Sequence, residues 1–164
     1  MQTIEAELLQ ISCRPDLFVQ NSQGETVMWV EVTATHRKNP RVRQSSRPNL
    51  SYYLKASNNS VPFAMRVDLD KIEIFHGRDV DLSQPLSSLP TAAVLISYGP
   101  NLSEKDIFSP YLAALVEAWL RDLAYNWKSD RPPAFEEMDN IGLLALIENG
   151  TTRSGDSMSG DRLY

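Results

Sequence analysis

Cysteine and histidine are scarce in this sequence, which limits the metal sites that the chain can build. Its 164 residues include one cysteine, Cys13, and two histidines, His36 and His76. One cysteine cannot close an internal disulfide, and these three side chains cannot supply the four sulfur and nitrogen ligands that a structural zinc ion takes. A metal ion held within one chain would therefore need oxygen ligands, which suit magnesium. We interpret Cys13 as a buried structural thiol.

Long apolar segments are absent as well. No uncharged apolar run approaches the ~18 residues of a membrane-spanning helix. The amino-terminal segment, MQTIEAELLQ, lacks the basic and apolar regions of a secretory signal. We therefore expect a cytoplasmic protein with no membrane segment. The length, the 42% apolar content and the 23% charged content are typical of one globular domain.

Positive charge is also in deficit over the whole chain. The net charge of −5 argues against a protein that coats nucleic acid with its entire surface, because phosphate binding depends on clustered lysine and arginine. One local cluster of cations nevertheless stands between residues 36 and 47, with no acidic residue in it. Two interpretations stay open, contact with nucleic-acid phosphates or a solvated surface loop. The cluster consists of Arg37, Lys38, Arg41, Arg43 and Arg47.

The spacing of apolar residues predicts one mixed domain, α/β or α+β, over residues 1–150. Alternation with period two indicates strands, helical spacing indicates helices, and Ser109-Pro110 is a strong helix start. Residues 151–164 are rich in Gly, Ser and Asp, so we predict a disordered tail there. The predicted elements are a helix over 3–10, a hairpin with strands over 16–20 and 27–35, a helix over 49–57, strands over 63–69 and 71–76, an edge strand over 91–98, and a helical part over 109–150.

Two acidic residues of the predicted hairpin are candidates for chemistry. The alternation in VMWVEVTAT places Glu31 on one face of its strand together with Trp29 and Thr33. A carboxylate on a buried strand is costly unless it is paired, protonated or bound to a metal ion. Glu31 is therefore either a metal ligand or a residue on a solvent-open face. Asp16 is either a metal ligand or a turn carboxylate that accepts backbone hydrogen bonds.

The string Arg14-Pro15-Asp16, followed by Glu31-Val32-Thr33, resembles the PD-(D/E)XK signature of restriction-endonuclease-like nucleases. The likeness extends over residues 3–76 through the order of helix, hairpin, helix and strand pair. It implies a restriction-endonuclease-like mixed central sheet flanked by helices, here with an amphipathic helical part near the carboxyl end. It also implies a magnesium ion held by Asp16, Glu31 and the backbone carbonyl of Val32.

Thr33 departs from the signature, because the family has lysine at this position. That lysine orients the attacking water and offsets negative charge in the transition state, which a threonine hydroxyl does poorly. Lys38 is the candidate catalytic replacement, with Lys55 as another. The family's further acid, on the preceding helix, would correspond to Glu5 or Glu7.

Three functions follow as expectations. The first is a magnesium-dependent phosphodiesterase that cleaves DNA or RNA. The second is a catalytically degenerate member of the same fold that serves as an interaction or assembly module, with a protein partner or as a homo-oligomer. The third is a module that binds nucleic acid through residues 36–47 without hydrolysis, with an affinity that falls steeply with salt.

Overall fold

The computed structural model describes residues 16–35, 50–57, 60–100 and 109–154. Over these ranges the chain belongs to the mixed α/β class. The strands are Leu17–Gln20 (β1), Thr26–Val32 (β2), Phe63–Val67 (β3), Lys71–His76 (β4), Ser87–Pro90 (β5) and Thr151–Ser154 (β6). The helices are Leu50–Ala56 (α1), Thr91–Leu95 (α2), Ser109–Tyr125 (α3), Phe135–Asn140 (α4) and Leu143–Ile147 (α5).

All six strands belong to one mixed sheet in the order β5-β4-β3-β2-β1-β6. Strands β2 and β3 are parallel, and every other neighbouring pair is antiparallel. A parallel pair needs a crossover connection between its strands, and α1 lies in the one between β2 and β3. The sequence therefore alternates tight hairpins with one helical crossover at the centre of the sheet.

Apolar side chains cover both faces of the sheet, as the alternation in β2 predicts. One face carries Met28 and Val30 and packs on α3, whose Trp119 is fully buried. The other face carries Ala64 and Phe75 and packs on α1 in a smaller cluster. The start of α3 is tied to the end of β2, because the N–H of Ala34 donates to the Ser109 hydroxyl at 3.0 Å. Helices therefore flank the sheet on both sides.

Most predicted elements are confirmed to within a few residues. The hairpin, the helix after the basic segment, the two following strands and the helix that begins at Ser109 all form. The alternation places Met28 and Val30 in the core while Trp29 and Glu31 face the α1 side. The predicted helix over 3–10 lies outside the described residues.

The predicted edge strand over 91–98 is wrong, because its first part is helix α2. Thr91, Val94 and Leu95 are buried while Ala92 and Ala93 are exposed. This is helical spacing, and a short apolar run cannot be assigned to strand or helix from its hydrophobicity alone.

The predicted tail is also wrong at its start, since Thr151–Ser154 form β6 and pair antiparallel with β1. Thr152 is buried in this pairing, and its hydroxyl accepts a hydrogen bond from Arg121 Nε at 2.8 Å. A polar segment forms a strand here because β1 offers an unpaired edge and α3 offers polar partners. Residues 155–164 lie outside the described residues.

Candidate functional site

Asp16 stands immediately before β1, and its carboxylate bonds to the neighbouring strand. The β1–β2 pairing starts at Leu17 and Val30, so the backbone of Val32 lies beyond the end of the ladder. The N–H of Val32 donates instead to Asp16 Oδ2 at 2.8 Å. The Asp16 side chain thus extends the β1–β2 ladder by one hydrogen bond, just before β1 begins. Asp16 thus accepts a backbone hydrogen bond, but from the neighbouring strand and not from a turn.

Glu31 lies beside Asp16 at the same end of the sheet. Continuing the antiparallel register by one step from Leu17 and Val30 brings Asp16 opposite Glu31. Residues opposite each other in such a pair have Cβ atoms about 4.5–5.5 Å apart. Both residues are half-buried. The strand ends therefore bring together the two carboxylates that the PD-(D/E)XK resemblance pairs.

The carbonyl of Val32 contributes a third oxygen to this corner. The N–H and C=O of one strand residue point toward the same neighbouring strand, and the N–H of Val32 points to Asp16. Its carbonyl therefore lies on the β1 side of β2, beyond Leu17, the first residue of β1. Two carboxylates and one backbone carbonyl are hard oxygen donors, which fit magnesium. A carboxylate has about four lone-pair sites, so one accepted N–H is compatible with a metal bond.

Side chains alone supply few metal ligands at this corner of the sheet. Among the residues that the structure describes, no group of three or more His, Cys, Asp or Glu side chains is arranged to hold a metal ion. Asp16, Glu31 and the Val32 carbonyl would supply only part of a magnesium coordination shell, and water or substrate oxygens would have to complete it.

Arg66 is a residue of this region that the sequence analysis missed. In the parallel register of β2 and β3, Arg66 is the partner of Glu31, and across β4 it is the partner of Glu73. Its Nη2 lies 3.2 Å from Glu73 Oε1, and its guanidinium carbon lies 5.3 Å from the centre of the Phe75 ring. The side chain of Arg66 is 37% exposed and that of Glu73 10% exposed.

Thr33 and Lys55 do not bring a cation to this corner. Thr33 continues β2 toward β3, because its N–H donates to the carbonyl of Val67 at 2.9 Å. Lys55 Nζ lies 3.9 Å from Asp81 Oδ1, and both side chains are well exposed. This pairing directs Lys55 to the loop after β4. The other predicted residues lie outside the described ranges, namely Glu5, Glu7, Arg37, Lys38, Arg41, Arg43 and Arg47.

Aromatic side chains border the carboxylates on the side of α1. Trp29 precedes Glu31 by two residues on the same face, and its ring meets that of Tyr53 edge-on, with centroids 5.8 Å apart. Tyr52 contacts Tyr53 in the same manner and remains 38% exposed. Helix α1 therefore packs on Trp29, two residues before Glu31, and carries one accessible ring, that of Tyr52.

Comparison of the chain with protein-family models, with curated proteins and with solved structures found no match. The likeness to PD-(D/E)XK nucleases thus remains one of motif and of element order. Within the described ranges, no helix combines the length and the apolar character needed to cross a bilayer.

The sequence does not reveal the β2–β3 register, and for this reason Arg66 was not predicted as a site residue. The alternating strand that contains Arg66 was recognised, but which residue of β2 faces it depends on the crossover through α1. The available signal was Arg66 itself, the one charged residue in a strand whose other residues are apolar.

Proposed function

We propose that this chain is a metal-dependent phosphodiesterase of restriction-endonuclease-like fold that hydrolyses DNA or RNA. The observation that carries the proposal is the convergence of Asp16, Glu31 and the Val32 carbonyl at one corner of the sheet. The order β1-β2-α1-β3, with a hairpin followed by a helical crossover to a parallel strand, is consistent with that fold.

In the proposed reaction, a water oxygen forms a bond to phosphorus while the bond from phosphorus to one ester oxygen breaks. The water gives up a proton, and the departing oxygen takes one up, so the products are a phosphate monoester and a hydroxyl end. Bound magnesium would neutralise charge on the phosphate and increase the acidity of the attacking water. Asp16 and Glu31 would hold the magnesium ion through their carboxylates. The Val32 N–H fixes the position of the Asp16 carboxylate.

The test is a calorimetric titration of magnesium and manganese, together with cleavage assays on labelled single- and double-stranded DNA and RNA. The variants are Asp16→Asn and Glu31→Gln, and Asp16→Asn keeps an oxygen for the Val32 N–H. We expect each to weaken metal binding by at least about tenfold and to abolish metal-dependent cleavage, since even partners outside the coordination shell are worth 10–100-fold. Asp139→Asn, an exposed change on α4, serves as the matched control and should alter neither.

A wild-type chain that binds no metal ion and cleaves none of the substrates would refute the proposal. Unchanged metal binding in both variants would refute the assignment of the ligands.

A second function is favoured by a separate observation. The Asp16 carboxylate already has a structural hydrogen bond, and Arg66 already has a carboxylate partner in Glu73. A catalytically degenerate chain that keeps the sheet as an interaction or assembly module would retain these bonds. It predicts no metal binding, no cleavage and a defined complex, with itself or with another protein, that light scattering after size-exclusion chromatography would detect.

A further inference from the structure

Four charged residues lie in one row near the end of the sheet where Asp16 stands. The register aligns Asp16, just before β1, with Glu31 on β2, Arg66 on β3 and Glu73 on β4, so that the cation stands between two acids.

The position of Arg66 can be compared with that of the missing lysine. Thr33 lies two residues beyond Glu31 on the same strand, about 6.6 Å along it at ~3.3 Å per residue. Arg66 lies opposite Glu31 on the neighbouring strand, at the usual spacing of about 4.8 Å. The backbone at position 66 is therefore at least as near to Glu31 as the backbone at position 33.

The guanidinium of Arg66 is also held in a defined orientation. Its Nη2 donates to Glu73 Oε1 at 3.2 Å, and its central carbon lies 5.3 Å from the centre of the Phe75 ring. A guanidinium carries five N–H groups in a rigid fork, so one bond to Glu73 uses only part of it. Such a fork matches the oxygens of a phosphate in a two-point contact. The exposed third of the side chain gives a substrate access to it.

We propose that Arg66 is the catalytic cation of this site and replaces the lysine that Thr33 has displaced. This inference rests on the proposed phosphodiesterase function. Arg66 contacts a non-bridging oxygen of the scissile phosphate and offsets the negative charge that grows there as water attacks. Glu73 is a positioning residue that holds the fork. Arg66 does not remove the proton from water, because a guanidinium stays protonated in proteins.

The competing explanation is structural. A cross-strand ion pair stabilises a sheet by roughly 0.2–1 kcal/mol, and Arg66 with Glu73 would be such a pair. The two roles differ in what a lysine elsewhere can restore. Lysine introduced at position 33 leaves the Arg66–Glu73 pair broken but returns a cation to the site.

The experiment measures kcat, KM and metal affinity for the full chain and for the variants Arg66→Met, Arg66→Lys and Thr33→Lys combined with Arg66→Met. Arg66→Gln, which keeps an N–H donor for Glu73, replaces Arg66→Met if that variant does not fold. The matched control is Arg121→Met on α3, which removes an arginine of similar exposure (41%) from an ion pair of similar length (3.0 Å) on the opposite face of the sheet.

We expect Arg66→Met to lower kcat/KM by about 100-fold or more, the loss typical of removing one transition-state donor, while metal affinity is kept. Arg66→Lys and the Thr33→Lys double variant should each recover at least about tenfold of that loss. Arg121→Met should leave kcat/KM unchanged. An Arg66→Met enzyme within threefold of wild type would overturn the inference while the phosphodiesterase function stands.

A loss that the Thr33→Lys double variant does not recover would also overturn it, in favour of the structural role, even if Arg66→Lys recovers. A wild-type chain without metal binding and cleavage would refute the proposed function and this inference together.

Discussion

Replacing Asp122 with alanine tests how the polar network beneath α3 contributes to stability. Asp122 is fully buried on α3, and its carboxylate accepts three hydrogen bonds. The hydroxyl of Tyr98 donates to Oδ2 at 2.6 Å, and the N–H groups of Lys128 and Ser129 donate to Oδ1 at 2.9 and 3.0 Å. One side chain thus links the segment after α2 to the turn after α3.

The magnitude follows from these three bonds. A hydrogen bond to a charged group contributes about 1.5–3 kcal/mol, so simple addition would give roughly 5–9 kcal/mol. Addition overestimates the loss, because the three bonds share one acceptor and because the exposed Lys128 allows water to reach its N–H. We expect Asp122→Ala to lower the free energy of unfolding by about 3–4 kcal/mol. Asp122→Asn keeps an oxygen for the two N–H groups and should cost about 1–2 kcal/mol.

The matched control is Asp79→Ala. Asp79 also accepts hydrogen bonds from two backbone N–H groups and a hydroxyl, those of Ser83 and Gln84, but in an accessible loop. Because water replaces lost partners there, its removal should cost less than about 1 kcal/mol. Urea unfolding followed by tryptophan fluorescence at pH 7 measures all three variants.

Substitution of Asp122 should also change how the free energy of unfolding depends on pH. Burial by itself would raise the pKa of Asp122, but the hydrogen bonds from Tyr98, Lys128 and Ser129 outweigh it and hold the pKa below the ordinary value. A group whose pKa is lowered by folding stabilises the folded state above its unfolded pKa of about 3.9, and this stabilisation is lost as pH falls through the folded pKa. The difference between wild type and Asp122→Asn should therefore be constant from pH 7 to about pH 5 and shrink below about pH 4.

Two results would refute this reasoning. The first is a loss in Asp122→Ala no larger than that in Asp79→Ala. The second is a difference between wild type and Asp122→Asn that does not shrink in acid.

Two further pairs of substitutions test the packing. Gly150→Ala should lower the free energy of unfolding by about 3 kcal/mol or more, because the new Cβ would lie 2.1 Å from the Gln20 carbonyl oxygen. Gly24→Ala, at φ +82° in open space, should cost about 1 kcal/mol, and equal urea midpoints for the two would contradict the analysis. Trp119→Phe should cost about 2–3 kcal/mol, because Trp119 is fully buried and its indole N–H donates to Pro133. Trp127→Phe, at a residue 50% exposed, should cost under about 1 kcal/mol, and thermal unfolding that ranks the two in reverse would count against this packing.

Local patterns were sufficient to predict the hairpin and most of the fold around it. The alternation in β2 predicted the sheet face on which Glu31 lies, and Ser109-Pro110 predicted where α3 begins. Helix α2 was misread because Thr91, Val94 and Leu95 occur in a run too short for its period to be decisive. Strand β6 was missed because TTRS has little apolar character, and its pairing partner β1 lies near the other end of the sequence.

The same difference between local and long-range pairing applies to the candidate site. Asp16 and Glu31 belong to one hairpin, so their proximity follows from local pairing, and the sequence was enough to propose them together. Arg66 stands opposite Glu31 through a parallel register that is set by the crossover and its packing. Such a register depends on contacts of α1 with both sheet strands, which no local pattern encodes.

The pairing of β1 with β6 has a consequence for the order of folding. Leu17 pairs with Ser154, so β1 receives this neighbour only after the other described strands have been synthesised. Until Thr151–Ser154 emerge, the backbone of β1 presents an open edge to which another chain can add. Contacts of this long range also slow folding. Newly made chains therefore depend on β6 for protection of this edge from aggregation.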